Sequence, residues 1–347
     1  MRERDRSTLE ELRSRTLDVL VDVIGRGATV ALLDAPNQRN VGDSMIWAGE
    51  VAYFRRLGLK VVYVADLQSY DTDVLRRTLP ADGVILLHGG GNVGDLWRGH
   101  QKHREQVARD FRDRKIVQLP QSVWFSEEKY AANANRILGA HPDFTLLVRD
   151  RETEERAAAW LPDVPRRYCW DMALGWDPRP SRKQHGGAPA LVVARTDHEG
   201  ASGLGTADLA SDLGVAADVR DWTSPELDTL GWRLARAVPR IARRWPALRR
   251  WHLFQVLLRA SFGWINRANV RSGVRLYAGR RVVVVDRLHA HVLAVLMGID
   301  HVMLDNSYRK LGAVFDDYTH RFSTAAYAHD RTEAIDLART ILNRPEN

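Results

Sequence analysis

Residues 29–57 read TVALLDAPNQRNVGDSMIWAGEVAYFRRL. The first five residues are mostly apolar and include the β-branched Thr29 and Val30, which predicts a buried strand, whereas residues 44–57 have the apolar period of a helix. In the polar loop between them, Gly42 allows a tight turn, and Asp43 or Ser44 is expected to cap the helix. Helix N–H groups exposed at that point suit a phosphate or a carboxylate. A strand followed by a helix in this way is the unit of a parallel α/β sheet.

The same unit recurs along the chain. Strand-like stretches at 60–64, 84–87, 115–119 and 145–148 precede helix-like segments, among them 71–79, 97–112 and 152–161. The Pro/Gly-containing stretch 177–189 has the composition of a linker, and strands at 190–194, 281–285 and 302–304 follow it. We predict an α/β fold of two Rossmann-like domains facing a cleft. The expected units are an N-terminal domain over 1–178, a C-terminal domain over 190–330 with a helical insert at 224–275, and a C-terminal helix at 331–347.

Length and composition agree with this organisation. The chain has 347 residues, about two domains, and its 45% hydrophobic content argues against disorder. Its one cysteine, Cys169, excludes an internal disulfide and a Cys-rich zinc site, and suits a reducing compartment. The charged N-terminus lacks the apolar core of a signal peptide, and the apolar run 292–299 is shorter than the about 20 residues of a membrane span. We therefore expect a cytoplasmic protein that meets a membrane only at its surface.

A basic segment near the middle of the chain carries much of the net charge of +7. Residues 229–285 contain no Asp or Glu, while eleven arginines and four tryptophans lie between 230 and 275. A basic, Trp-bearing amphipathic helix is typical of an element that lies on an anionic membrane surface. The alternative is a helical insert packed on the second domain with a solvated basic face. No nucleic-acid-binding module is recognisable, so nucleic acid is not an expected partner.

Polar residues follow the predicted strands of the first half. Three consecutive glycines, Gly89, Gly90 and Gly91, follow His88, and Asn92 comes next. Such glycines suit a nest of backbone donors for an oxyanion, or alternatively a crowded domain interface. After the next strands stand further candidates, each of which alone could be a cap or a surface ion pair: Gln121, Ser122, Arg149 and Asp171.

Charged residues also follow the predicted strands of the second half. Arg195 comes directly after the first of them, and the run Val282–Val285 is followed by Asp-Arg-Leu-His, which ends at His289. Arginine offers a planar fork for phosphate or carboxylate, and histidine exchanges protons near neutral pH. The combination at a strand end is typical of a functional site, and a buried ion-pair network is the alternative. Lys310, after the strand at 302–304, is a further candidate for contact with an anion.

Seven motifs in order resemble the polysaccharide pyruvyltransferase family. They are NVGDSMIWAGE, LLHGGGNVGDLW, the QS after LP, VRDRET, VARTDHE, VVDRLHAHVLAVLMGI and LDNSYRKL, and they run from about residue 37 to 311. The resemblance implies a GT-B-like two-domain fold and transfer of an enolpyruvyl-derived group from phosphoenolpyruvate to a sugar, usually as a pyruvate ketal across two hydroxyls. It also implies that Arg287, Leu288 and His289 contact the donor, with help from Arg195 or Arg149.

The residue chemistry suits this donor. Phosphoenolpyruvate carries a phosphate and a carboxylate, which Arg287 and Arg195 could each grip bidentately. We predict His289 as the acid that protonates the methylene carbon and Asp43 as the base for a sugar hydroxyl. The substrate-binding candidates also include Asn40, Gly42, Gly89, Gly90, Gly91, Asn92, Gln121, Ser122 and Lys310.

Neither cofactor nor metal is expected, because the reaction has no redox step and no metal-ligand spacing is visible. The expected partners are phosphoenolpyruvate and a glycan acceptor, which could be lipid-linked or nucleotide-linked. The sequence leaves the acceptor sugar and the oligomeric state open. Two other functions stay possible from the sequence: a GT-B-type glycosyltransferase that uses a nucleotide sugar, and a non-catalytic module that binds anionic glycan or membrane.

Overall fold

Two parallel β-sheets form the framework of the molecule in the computed structural model. The model describes residues 1–178, 188–194, 204, 212–220, 222, 229–305 and 310–344, without the side chains of Thr229, Leu230 and Lys310. The first sheet has seven strands: β1 (Thr29–Leu33), β2 (Lys60–Ala65), β3 (Val84–Leu87), β4 (Gly90–Gly94), β5 (Ile116–Trp124), β6 (Phe144–Val148) and β7 (Arg166–Tyr168). The second has five: β8 (Ala190–Val193), β9 (Ala217–Arg220), β10 (Val282–Val285), β11 (His301–Leu304) and β12 (Ala325–Ala328).

Helices cover the sheets. They are α1 (Glu3–Ile24), α2 (Val41–Leu57), α3 (Thr72–Thr78), α4 (Arg98–Asp110), α5 (Glu128–Gly139), α6 (Arg151–Trp160), α7 (Thr229–Arg244), α8 (His252–Tyr277), α9 (Leu288–Met297), α10 (Lys310–Asp317) and α11 (Arg331–Leu342). Short 3-10 helices occupy Met172–Gly175, Pro246–Arg250 and Thr319–Arg321. The predicted α/β fold with parallel strands is thus confirmed, while the domain limits stay predictions.

In each sheet there is one point at which the chain changes the side on which it adds the next strand. In the first sheet, the order is β2-β1-β3-β5-β6-β7, with β4 beside β5, so the chain switches sides between β1 and β3. In the second sheet, the order β12-β11-β10-β8-β9 puts the switch between β8 and β10. Ligands of open α/β sheets bind beyond the carboxyl ends of strands at such points. The loops after β1, β3 and β10 are therefore the places to look for a site.

At two places the structure differs from what the sequence suggests. Helix α2 begins at Val41, and Asn40 caps it, accepting hydrogen bonds from the N–H groups of Gly42 (2.9 Å) and Asp43 (3.4 Å). Asp43 lies in the first turn instead of capping the helix. The glycine run is not an open loop, since Gly90–Gly94 forms strand β4, which pairs in parallel with β5. A Cβ at Gly94 would lie 1.6 Å from the carbonyl oxygen of Trp124, so this pairing requires a glycine there.

The basic insert packs largely on the first half of the chain, and the end of α8 also contacts α9, where Tyr277 donates to the carbonyl oxygen of Ala290 (2.9 Å). In α8, Arg259 donates to the carbonyl oxygen of Val61 in β2 (2.6 Å), and the rings of Phe262 and Trp47 lie 6.4 Å apart. Arg249, between α7 and α8, donates to the carbonyl oxygens of residues 68 and 70. In this position the insert buries the apolar face of α8. Its arginines also donate to backbone carbonyl oxygens beneath it, which would be costly to bury without a hydrogen bond.

Candidate active site

A cavity of about 270 Å³ lies beyond the carboxyl ends of β1, β3 and β10. Residues from the loop after β1 and the start of α2 form one wall, among them Asp34, Asn40, Gly42 and Asp43. His88, Gly89, Gly91, Asn92, Trp97 and His100 line it from the region between β3 and α4. Arg287, Leu288 and His289 enter from the turn between β10 and α9, and Arg149 enters after β6. Side chains from both sheets therefore meet at one cavity.

The first turn of α2 touches the first turn of α9 at a glycine. A Cβ on Gly42 would lie 2.9 Å from Nδ1 of His289 and 3.1 Å from its Cβ. The ring of His289 therefore rests directly against the backbone of α2. Asn40 orients the same turn, since its side chain also donates to Oδ2 of Asp43 (2.8 Å). Gly42 is thus required for the close approach of the two helix starts.

A buried carboxylate holds His289 from the other side. Oδ2 of Asp171 lies 3.4 Å from Nε2 of His289 and accepts a hydrogen bond from Arg149 (2.8 Å). Arg149 also donates from Nε to the hydroxyl of Ser122 (2.9 Å). Asp171 and Arg149 are almost completely buried. Nε2 of His289 is therefore turned towards the carboxylate, and Nδ1 lies on the side of Gly42.

The environment of Asp171 keeps it ionised. Burial alone would raise the pKa of this carboxyl, but the neighbouring His289 and Arg149 and the N–H of Ala173 together lower it well below its usual range. A carboxylate that stays charged in a buried site fixes the orientation of an adjacent imidazole and stabilises its protonated form. From the sequence, Asp171 is only a polar residue after a strand, and its contact with His289, which is 118 positions away, was not predicted.

A second carboxylate–histidine pair lies on the opposite wall. Nδ1 of His100 is 2.7 Å from Oδ1 and 2.9 Å from Oδ2 of Asp34, and Asn92 donates to Asp34 (3.1 Å). Asp34 is 5% exposed and has a φ of 63°, in the left-handed region that non-glycine residues rarely adopt. Burial opposes ionisation of Asp34, yet the hydrogen bond and charge of His100 lower its pKa. Neither residue was predicted from the sequence as part of a site, although Asp34 directly follows a predicted strand.

A third pair is fully buried behind the glycines. Glu50 accepts from the N–H of Gly89 (2.9 Å) and pairs with Nδ1 of His88 (2.9 Å). Burial by itself would lower the pKa of His88, but the charge of Glu50 and its hydrogen bond raise it. The N–H of Asn92 donates to the side chain of Gln121 (2.9 Å). The N–H groups of Gly89 and Asn92, which were expected to bind an oxyanion, therefore already donate hydrogen bonds within the protein.

The predicted site residues divide into three groups. Those that line the cavity are Asn40, Gly42, Asp43, Gly89, Gly91, Asn92, Arg149, Arg287, Leu288 and His289. Gly90, Gln121 and Ser122 lie behind it, where Gln121 holds Asn92 and Ser122 holds Arg149. Arg195 lies outside the described residues, and of Lys310 only the backbone, at the start of α10, is described.

Comparison with known proteins agrees with this geometry. The family model for polysaccharide pyruvyl transferase matches residues 40–308. The chain belongs to the polysaccharide pyruvyl transferase family. It is therefore a member of a family of transferases, as the motifs predicted. The matched range includes Arg287, Leu288 and His289 as well as most of the residues on the opposite wall.

Individual relatives extend the comparison. Over 292 residues, the chain is 32% identical to Pyruvyl transferase 1 of Schizosaccharomyces pombe, covering 80% of this chain and 66% of the relative. It is 26% identical over 305 residues to a Bacillus subtilis protein named as pyruvyl transferase EpsO, covering 85% and 86%. The fold is similar to the crystal structure of an uncharacterised protein from Klebsiella pneumoniae, with a TM-score of 0.56, 17% identity, and 92% and 98% of the two chains covered.

Proposed function

We propose that this chain transfers the pyruvyl group of phosphoenolpyruvate to a sugar of an exopolysaccharide or cell-envelope glycan, forming a pyruvate ketal. The observation that carries the proposal is the single cavity shared by Arg287, His289 and Asp43. This cavity brings the guanidinium and the imidazole of one turn together with a carboxylate from the first turn of α2. The guanidinium suits a three-carbon donor with two or three negative charges, and the imidazole and the carboxylate can transfer protons.

The donor lies against the turn before α9. Arg287, at the N-cap of α9, offers two parallel N–H donors to the phosphate or the carboxylate, and the start of the helix adds its own N–H groups. Arg149 is held by Ser122 and Asp171 and faces the cavity at Gly91, 3.5 Å from where a Cβ would be. Arg195 is the further candidate for the second anionic group. No cofactor or metal takes part in the reaction that we propose.

The reaction begins with a proton from His289. The proton adds to the methylene carbon C3, whose new C–H bond takes the electron pair of the double bond, and C2 becomes an oxocarbenium centre. An oxygen of the first sugar hydroxyl bonds to C2 and loses its proton to Asp43. The bond from C2 to the phosphate oxygen then breaks, and phosphate leaves with the electron pair. A second hydroxyl oxygen bonds to the cationic C2 that this leaves, which closes the ketal, and gives up its own proton. Of the two hydroxyl protons, one replaces the proton that His289 gave to C3 and the other goes to phosphate, so that phosphoenolpyruvate plus a diol gives ketal plus hydrogen phosphate.

Asp171 supports this first step. With its carboxylate near Nε2, the imidazolium of His289 is stabilised, and Nδ1 is the nitrogen left to deliver the proton. Helix α2 supports the second step, because Asn40 fixes the carboxylate of Asp43. We assign the donor to the C-terminal side and the acceptor to the N-terminal side of a GT-B-like cleft between two Rossmann-like domains. The switch points of both sheets at this cavity support that arrangement.

The acceptor is presented at the inner face of a membrane. The supporting observation is an exposed surface on α7, α8 and the turn between them, here called the Arg/Trp surface. Its exposed apolar residues are Leu234, Ile241, Trp245, Trp251, Leu253, Val256, Leu257 and Trp264. Arginines surround them, and residues 229–285 contain no acid. This combination of an apolar face and positive charge suits an anionic bilayer that carries a lipid-linked glycan. In the described residues, no helix has the length and apolar character of a transmembrane segment.

A turnover assay tests the proposal. Phosphate release is measured with phosphoenolpyruvate and a panel of p-nitrophenyl hexosides and extracted lipid-linked glycans, and the product is identified by mass. The expected result is phosphate release that requires an acceptor, with a product that carries a pyruvate ketal. His289→Gln should reduce the rate by about 100-fold or more. Glycosyl transfer from a nucleotide sugar, with no reaction of phosphoenolpyruvate, would contradict the proposal.

A further inference from the structure

Formation of a ketal releases protons from two hydroxyls, yet the reaction proposed above provides a base for only one. This inference rests on the proposed function and asks which group takes the other proton. A suitable base must line the cavity, must have an accessible lone pair, and must be held by a second group that fixes its tautomer. His289 must regain the proton that it gives to the donor, and it lies between Asp171 and Gly42 on the donor side. A hydroxyl on the opposite side of the cavity therefore needs a base of its own.

His100 meets these conditions. It lines the cavity and its side chain is 21% exposed. Its Nδ1 contacts both oxygens of Asp34, and its Nε2 makes no hydrogen bond among the described residues. In the neutral imidazole, the hydrogen bond to Asp34 places the hydrogen on Nδ1 and leaves the lone pair at Nε2, which is the arrangement by which a carboxylate prepares a histidine for general-base catalysis.

Asp34 has an unfavourable backbone conformation, and a buried network holds its carboxylate in place. Asp34 keeps a φ of 63°, although the left-handed region is unfavourable for a residue with a Cβ. Asn92 donates to Asp34 at 3.1 Å and accepts from the buried guanidinium of Arg104 at 2.7 Å. Arg104 in turn donates to Gln118 and Gln101. A continuous buried network thus fixes the carboxylate from behind.

The same helix start also offers a surface for a sugar ring. Trp97 lies directly before α4, lines the cavity and is 46% exposed, and its carbonyl oxygen accepts from the N–H of His100 (3.0 Å). An exposed indole provides an apolar face for a pyranose ring. A ring that stacks there has its hydroxyls within the reach of the first turn of α4.

We infer that His100, oriented by Asp34, is a second general base of the enzyme and takes a proton from a hydroxyl of the acceptor sugar, which stacks on Trp97. The hydroxyl oxygen bonds to C2 of the donor while its proton moves to Nε2 of His100. The electron pair of the O–H bond remains on the oxygen. Asp43 serves the other hydroxyl, and phosphate leaves with one net proton, so that the acid and both bases return to their starting states.

The test compares variants in the turnover assay with a hexoside that the wild-type chain accepts. His100→Gln should lower kcat by about 100-fold and leave the Kd of phosphoenolpyruvate within about twofold. His100→Ala should behave alike and recover part of its kcat when imidazole is added, since a small base can fill the space. Asp34→Asn, which tolerates the same φ, should lower kcat as well. Trp97→Ala should raise KM for the hexoside more than it changes kcat.

Controls and contrary outcomes separate the two proposals. His329→Gln, an exposed histidine outside the cavity, should leave all constants unchanged. A His100→Gln protein with wild-type kcat, or a His100→Ala protein that binds phosphoenolpyruvate but gains nothing from imidazole, would overturn the inference and leave the proposed function standing. A wild-type chain that releases no phosphate with any acceptor would overturn both. Circular dichroism and the unchanged Kd for the donor show that a variant is folded.

Discussion

At the scale of single residues, several polar and charged groups of the site are held by a buried partner. Asp171 contacts His289 and Arg149, and Asp34 contacts His100. Leaving one member of such a buried pair without its counter-charge is costly, so these groups are fixed before any substrate arrives. Pre-organisation of this kind is what proton transfer to a carbon atom requires, because small displacements are expensive in rate.

The contact between Gly42 and His289 gives a direct test. Gly42→Ala would bring a Cβ to 2.9 Å from Nδ1 of the histidine, so the ring must move. We expect the turnover rate to fall by about 100-fold. Gly263→Ala is the matched control, since Gly263 lies inside α8 with nothing within 4 Å of the added Cβ. It should raise the free energy of unfolding by about 0.5–1 kcal/mol at full activity. Equal activity of the two variants would contradict the proposed role of this contact.

Asp171 makes stability depend on pH in a predictable direction. Its pKa is lowered in the folded chain, so its ionisation stabilises the fold above the unfolded value of about 3.9, and this contribution is lost as the pH falls. Asp171→Asn should therefore lower the free energy of unfolding by about 3–5 kcal/mol at pH 7, with Arg149 left unpaired. The difference from wild type should shrink below about pH 4.

Urea unfolding between pH 3 and pH 7 measures this difference. Asp82→Asn changes an exposed carboxylate far from the cavity and serves as the control, with little effect at any pH. If the free energies of unfolding of Asp171→Asn and wild type differ by the same amount at every pH, the charge of Asp171 does not stabilise the fold.

At the scale of secondary-structure elements, the basic insert has two faces with different tasks. The inner face of α8 supports the loop before α2, where Asn266 donates to the carbonyl oxygen of Pro36 (3.1 Å) and Asn269 to that of Gln38 (2.8 Å). Both asparagines also contact the hydroxyl of Ser44 in α2. The outer face is the Arg/Trp surface. One helix thus connects the wall of the cavity with the face that we assign to the membrane.

Vesicle sedimentation tests that assignment. The chain should bind vesicles that contain phosphatidylglycerol more strongly than vesicles of phosphatidylcholine alone, and high salt should weaken binding. The double variant Trp251→Ser, Leu253→Ser should bind less, because these side chains are 66% and 81% exposed. Phosphate release with a water-soluble hexoside should stay at the wild-type rate. Binding that is equal for both vesicle types, or unaffected by the double variant, would contradict the assignment.

Elements were more predictable from the sequence than their contacts. Strands such as Thr29–Leu33, Val84–Leu87 and Val282–Val285 follow from buried apolar runs, because the sheets are parallel and covered on both faces. The start of α2 was missed because several residues there can cap a helix, and only the fold decides among them. Strand β4 was missed because glycine lacks the side chain on which a strand prediction depends.

At the scale of the whole molecule, the site depends on residues that are far apart in the chain. The Arg-Leu-His turn could be identified from its position after a four-valine strand, and it lines the cavity. Partners such as Asp171 and the pair of Asp34 and His100 could not be assigned, because sequence spacing says nothing about contacts across a sheet or between two sheets. The motifs therefore include residues that line one cavity, and only the three-dimensional structure shows which groups contact one another.

We expect Arg287 to bind the phosphoenolpyruvate that this cavity receives. Calorimetric titration of phosphoenolpyruvate into the wild-type chain, Arg287→Ala, and the exposed control Arg77→Ala measures this contact. One binding site is expected in the wild-type and control chains, and a Kd at least about 10-fold weaker in Arg287→Ala, because a charge-assisted contact of about 1.5–3 kcal/mol is lost. Equal affinity in all three chains, or heat with a nucleoside diphosphate and none with phosphoenolpyruvate, would contradict it.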